Sequence, residues 1–385
     1  MPLTDHICCL GVQDDTLDLF ESQFAVPHGV TYNSYLVLDD HIAVIDAVDA
    51  RYIDAWMANL ASALNGRTPD YLIVQHMEPD HSAGILAFAD AYPHATIIAT
   101  AKAFAMMKGF FGVDFANRRR IVTEGDTLEL GGRCLRFITA PMVHWPEVIV
   151  TYDSTDRVLF SADAFGRFGP ADEAYPWADE ARRYYFGIVG KYGAQVQTLL
   201  KKISALAVDV ICPLHGPALH APLDRYLQLY STWASYQVEE DGTLIACSSI
   251  YGNTTKAAQL LAEKLRARTG KPVVVYDLAR CDVYAAIADA FRFPRLVLAC
   301  ASYNADIFPP MRPFLQGIAE RGYQGRTVAL MENGTWAPSA AKVMRRMLEG
   351  CKTLTFAEHT VTIQSALNDT SAAQLEALAD ELAQQ

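Results

Sequence analysis

Tyr71–Gly84 reads YLIVQHMEPDHSAG. Tyr71 to Val74 form an apolar run too short for a helix and suited to a strand buried on both faces, and the run stops at Gln75. The next six positions hold His76, Glu78, Asp80 and His81, with Pro79 among them to end the strand and stiffen the turn. Two imidazoles and two carboxylates on one loop suit a borderline or hard transition metal, and a rigid turn of this kind can serve two adjacent ions. A solvated acidic turn with two incidental histidines reads the same way, so ligands elsewhere in the chain decide between the two.

Those ligands lie downstream. His144 sits in APMVHWPE after the strand-like CLRFIT, the run VLFSA leads into Asp163, and VDVIC leads into Pro213-Leu214-His215-Gly216. Each stands just past a strand end, as the first four do. If the strands share one sheet system, His76, Glu78, Asp80, His81, His144, Asp163 and His215 converge, enough to give two metals three or four ligands each. Asp163 is the natural bridge, because a carboxylate has two oxygens. Taken singly, each has a plainer reading as a hydrogen-bonding or turn-capping residue. His220 is near His215 in sequence but falls outside the pattern.

The 385 residues suffice for about two domains. A formal charge of −12 argues against nucleic acid or an anionic membrane as a principal partner. No stretch approaches the roughly 20 apolar residues of a membrane span, and the N-terminus lacks a basic region leading into an apolar one, so a cytoplasmic location is expected. The eight cysteines form no C-x-x-C pair, which excludes a rubredoxin-type iron site.

Up to about residue 241 the chain is rich in short strands with polar loops. TYNSYLVLDDHIAVIDAVDA predicts a hairpin around Asp39-Asp40, Arg51–Leu64 a helix, and Ala181–Leu206 a long helix weakened by Gly187, Gly190 and Gly193. From Thr243 strands and helices alternate regularly, with five strands in about 140 residues, which is the pattern of a doubly wound parallel sheet. Two domains, 1–241 and 242–385, follow.

The second domain carries its own site. Ser249-Ile250-Tyr251-Gly252-Asn253-Thr254 lies between a strand and a helix, offering hydroxyls, backbone N–H groups and the positive helix end to a phosphate monoester. Such a turn alone is often only a cap. Two more loops follow the third and fourth strands: Ser302-Tyr303-Asn304-Ala305-Asp306 and Asn333-Gly334-Thr335-Trp336. No G-x-G-x-x-G is present, so a dinucleotide is not indicated.

The motif H-x-E-x-D-H, with His144 in HWPE, Asp163 in SADAFG and His215 in LHG, resembles the metallo-β-lactamase-like module of the flavodiiron proteins. The second half is similar to flavodoxin, whose phosphate loop S/T-x-T-G-x-T matches here with Tyr251 at the middle Thr. The resemblance implies an α/β chain, an αββα sandwich followed by a flavodoxin-like parallel sheet. It implies His76, Glu78, His144 and Asp163 on one iron and Asp80, His81, Asp163 and His215 on the other, with FMN held by the three loops. Glu78 replaces the imidazole of the zinc hydrolases and hardens the ligand set toward iron. Tyr303 and Trp336 are candidates to pack on the flavin, and Tyr184 and Tyr185 are candidate proton donors. The implied activity is reduction of dioxygen to water, of nitric oxide to nitrous oxide, or both. The implied partners are an external donor (a rubredoxin-like protein or a reduced deazaflavin) and a second chain, in a head-to-tail homodimer or dimer of dimers. A zinc hydrolase with an appended flavodoxin carrier, and a flavin carrier with a vestigial metal site, are the competing readings.

Overall fold

The structure is a computed structural model that describes residues 3–385. It divides into two compact units between Ser231 and Thr232.

The first unit is built on two six-stranded sheets. In spatial order one runs Ile7–Cys9, Tyr35–Val37, Ala43–Ile45, Tyr71–Ile73, Thr96–Ala99 and Arg119–Ile121. It is antiparallel through the third strand and parallel beyond it. The other runs Thr127–Glu129, Cys134–Thr139, Ile149–Asp153, Val158–Phe160, Val210–Cys212 and Leu219–His220. Ile45, Ile73 and Ile98 from one sheet and Phe137, Ile149 and Phe160 from the other belong to a single buried apolar cluster. The core therefore lies between the sheets. This is the expected sandwich, and the hairpin around Asp39-Asp40 is present.

Two local readings change, and three short strands were not foreseen. Pro79 does not merely end a strand; it opens the short helix Pro79–Ser82, the position where its fixed φ and missing N–H cost nothing. Ala181–Leu206 is not one helix. Trp177–Tyr184 passes through a π-turn at Tyr185–Val189 and a 3₁₀ turn at Gly190–Tyr192 before helix Gly193–Ile203 begins. The glycines mark the breaks, and the Gly187 Cα approaches Phe24 so closely that a Cβ would lie 2.7 Å from its ring. The short strands Val12–Asp14, Leu19–Phe20 and Phe24–Ala25 carry too few residues for periodicity to reveal them.

The second unit has five parallel strands in the spatial order Val273–Asp277, Thr243–Ser248, Arg295–Tyr303, Thr327–Asn333, Thr355–Ile363. That is the 2-1-3-4-5 order of the flavodoxin type, whose ligands sit beyond the carboxyl ends of the strands where the order reverses. The nearly unbroken burial of Thr243–Ser248 and Arg295–Ala301 reflects helices covering both faces.

Gly84 lies two residues past the end of the Pro79–Ser82 helix, and a Cβ there would meet Trp56 at 2.8 Å and Ala47 at 3.1 Å. Gly84→Val is expected to cost about 1–3 kcal/mol, read as a lowered urea midpoint at unchanged slope; an unchanged midpoint would show that Trp56 yields freely.

Candidate functional site

The strand ends of the two sheets meet at one place. Ile149 N donates to Gln75 O (3.2 Å), joining the sheets beside the first histidine, and Ala47 N donates to His81 O (2.8 Å). All seven residues read from the sequence collect there in two groups, His76, Glu78, His144 and Asp163, and Asp80, His81 and His215. Within each group the candidate ligand atoms lie within 4.8 Å of one another. His76 Nε2 and His144 Nε2 stand 3.1 and 3.2 Å from Asp163 Oδ2. On the other side His81 Nε2 and His215 Nε2 stand 3.3 and 3.7 Å from Asp163 Oδ1. Asp163 thus turns one oxygen to each group. His220, by contrast, is half-exposed and faces Glu173.

The electrostatics show what the arrangement lacks. Both oxygens of Asp80 and of Asp163 are buried, yet none makes an aligned hydrogen bond. Burial would raise the Asp163 carboxyl, but the His76 charge and the nearness of His144 hold it well below the usual range. Burial would lower His144, but Asp163 and Glu78 push it up to about 9. Carboxylates and imidazoles packed this closely, out of water and out of hydrogen-bond alignment, call for cations between them. Mixed nitrogen and oxygen donors with two carboxylate-rich faces fit divalent or trivalent iron.

The outer nitrogens are fixed by neighbours that sequence reasoning passed over. His76 Nδ1 donates to Glu147 Oε1 (2.9 Å), which also accepts from Met77 N (2.9 Å). His215 Nδ1 donates to the Thr31 carbonyl (2.6 Å). The carboxylate and carbonyl can only accept, so both rings present Nε2 inward. Glu147 lies three residues past His144 in HWPE, and that spacing is the one signal that could have marked it. Asp46, fully buried with φ 55°, accepts from the backbone and side-chain amides of Gln75.

Tyr184 is buried with its ring 5.3 Å from that of His215. Burial, then Asp163, Glu78 and Asp80, push its phenol far above the ordinary value, so it carries its proton at neutral pH. Tyr185 packs instead on Phe186 and Tyr230. Phe20 sets its ring edge-on to His215 at 5.3 Å.

In the second unit a cavity of about 680 Å³ opens at the carboxyl ends of the first, third and fourth strands in chain order. Its wall includes Ser249, Ile250, Tyr251, Asn253, Thr254, Ser302, Tyr303, Asn304, Ala305, Asn333, Gly334, Thr335 and Trp336. Ala301 lines it too, and Ala337, Ser339 and Ser365, which sequence reasoning did not single out, complete it. Ser365 is tied in by Asn333 Oδ1, which accepts from its N–H (3.1 Å). Gly252 and Asp306 are not part of the wall. Gly252, at φ 90°, caps the helix Asn253–Thr269 without a side chain to block its first N–H groups, and Asp306 is engaged by Arg312 (2.6 Å). Open N–H groups beside Ser249 and Thr254 form an anion cradle, and the exposed Tyr251 and Trp336 stand at its rim. A flat heteroaromatic carrying a phosphate fits this cavity in size and chemistry.

No helix among the described residues is long and apolar enough to cross a membrane.

Residues 30–216 match the family described as ODP family beta lactamase. The chain is 29% identical to the nitric oxide reductase of Moorella thermoacetica over 94% of its own length and 92% of that protein. It is 33% identical to a diflavin flavoprotein of Thermosynechococcus vestitus over 73% of its own length, spanning about half (50%) of that longer protein. Among solved structures, rubredoxin oxygen:oxidoreductase from Desulfovibrio gigas superposes with a TM-score of 0.91 at 25% identity, covering 100% of this chain and 98% of that one. The similar proteins mark the chain as an oxidoreductase and imply a flavin and a diiron site. In sequence and fold the chain is similar to the flavodiiron proteins.

Removing divalent cations from the purified protein with a chelator is expected to lower its melting temperature, and ferrous iron to restore it. The convergent carboxylates would otherwise repel, and a bound ion at 100 times its Kd stabilises by about 2.7 kcal/mol. No shift in either direction would show that the cluster does not hold a cation.

Proposed function

We propose that this protein reduces nitric oxide to nitrous oxide, and dioxygen to water, at a non-haem diiron pair fed by FMN. The observation that carries the reading is the pair of matched ligand groups that share Asp163. One would hold iron through His76, Glu78, His144 and Asp163, and the other through Asp80, His81, His215 and Asp163. Flavin and irons together supply the electrons, two for each pair of nitric oxides or four for each dioxygen.

The rest of the work falls to the chain. Ser249, Thr254 and the helix N-terminus would hold the FMN phosphate, Asn333 and the neighbouring loops would line the ring, and Tyr303 and Trp336 would cover it. Phe20, Phe168 and Tyr184 form an apolar and phenolic wall beside His215, suited to small uncharged gases. The neutral Tyr184 hydroxyl is a proton donor for a reaction that consumes protons; Tyr185, turned onto Tyr230, is not carried into this role. A second chain of a head-to-tail dimer is the natural cover for Tyr251 and Trp336, 94% and 89% exposed.

For the electron donor, one surface favours an acidic protein over a small deazaflavin. On the helix Ala340–Met347, Lys342, Arg345 and Arg346 share one exposed face at i, i+3, i+4 spacing. No carboxylate pairs with them among the described residues. The helix begins at Ser339, in the wall of the flavin cavity.

About two irons and one FMN per chain, with rapid anaerobic reoxidation of the reduced protein by nitric oxide or by dioxygen, are the expected outcomes. Zinc in place of iron, or iron without gas-driven reoxidation, would overturn the reading in favour of a hydrolase or a carrier. Asp163→Asn is expected to leave fewer than one iron per chain, measured by metal analysis, because it serves both groups. Reversing the charges of Lys342, Arg345 and Arg346 to Glu is expected to slow flavin reduction by a reduced rubredoxin about 10-fold or more at low salt. Reduction by dithionite should be unchanged; equal rates with rubredoxin would place the donor elsewhere.

A further inference from the structure

The two ligand groups are alike in their inner donors. Each has two imidazoles and one carboxylate of its own, His76, His144 and Glu78 against His81, His215 and Asp80, and each takes one oxygen of Asp163. Charge and donor type therefore do not distinguish them. Their outer partners do. The Nδ1–H of His76 is bound by the Glu147 carboxylate, which is 2% exposed. That of His215 is bound by a neutral carbonyl, Thr31 O. Nδ1 of His81 is buried with no hydrogen-bond partner. The other buried carboxylate of this region, Asp46, spends its oxygens on the amides of Gln75 and not on an imidazole nitrogen.

From this asymmetry we infer that Glu147 makes the two irons unequal, so that the iron on His76 binds more tightly and is the harder of the two to reduce. The inference rests on the diiron reading above. A carboxylate on the far nitrogen gives the imidazole imidazolate character, making it a stronger donor. It also adds a full negative charge within one ring's width of the metal, where little water screens it. Both effects favour the ferric state of that iron over the ferrous. The iron on His81 and His215, with no carboxylate hydrogen-bonded to the outer nitrogen of either ring, is left as the first to accept an electron and the first to be lost. Glu147 touches neither metal nor substrate; it is a positioning residue that acts through His76.

Glu147→Gln separates charge from geometry, because an amide oxygen can still accept from His76 Nδ1 and Met77 N. In the holoprotein, Glu147→Gln is expected to retain about two irons. In a dithionite titration followed by Mössbauer and electron paramagnetic resonance spectroscopy, its more negative iron step should move upward and the gap between the two steps should narrow. Glu147→Ala, which loses the acceptor as well, is expected to bind ferrous iron about 10–100-fold more weakly at one site of two, read by calorimetric titration of the apoprotein. Unmoved reduction steps in Glu147→Gln together with unweakened binding in Glu147→Ala would overturn the inference while leaving the diiron reading intact. A wild-type protein without iron would remove both.

Discussion

The first unit depends on an electrostatic conflict placed where its two sheets meet. Three carboxylates and four imidazoles converge in a buried space in which the oxygens of Asp80 and Asp163 make no aligned hydrogen bond. Hydrophobic packing elsewhere makes this tolerable: Ile45, Ile73, Phe137, Ile149 and Phe160 hold the sheets together from the inside, and the strand ends must then point their loops at one another. Cations resolve the conflict, and Glu147 and Thr31, on the outer nitrogens of His76 and His215, aim those two imidazoles inward.

The second unit solves a different problem with less charge. A parallel sheet in 2-1-3-4-5 order leaves a crevice at its carboxyl edge, and the chain fills the rim with hydroxyls, amides and aromatic rings. Ser302 Oγ and Glu332 accept the first N–H groups of the helix after Ser339, so that helix end is already satisfied. The N–H groups after Gly252 are left open, and the two neighbouring helix starts therefore have different uses.

Much of this was legible in the sequence, for a physical reason. Ligands at strand ends follow short apolar runs, so His76, His144, Asp163 and His215 could be read as loop residues, and regular strand–helix alternation after Thr243 exposed the parallel sheet. What stayed hidden depends on contacts across the fold. Glu147 and His76 are 71 positions apart, and nothing local distinguishes a carboxylate that holds a ligand from one that faces water. Ser365 joins the flavin cavity through a hydrogen bond to Asn333, 32 positions away. The interruption of Ala181–Leu206 arises from packing against Phe24 as much as from its glycines, and adjacent Tyr184 and Tyr185 diverge at its π-turn in a way periodicity could not forecast.

The ligand groups also tie metal binding to long-range order. His81 and His215 stand 134 positions apart in the chain yet 3.1 Å apart in space, and no short segment contains a complete group. An unfolded chain would have to close a loop of that length to bring the two rings together, at an entropic cost of about 4 kcal/mol. The donors therefore exist as a set only where the two sheets are packed, and a substitution that loosens the sheets would loosen both ligand groups with them.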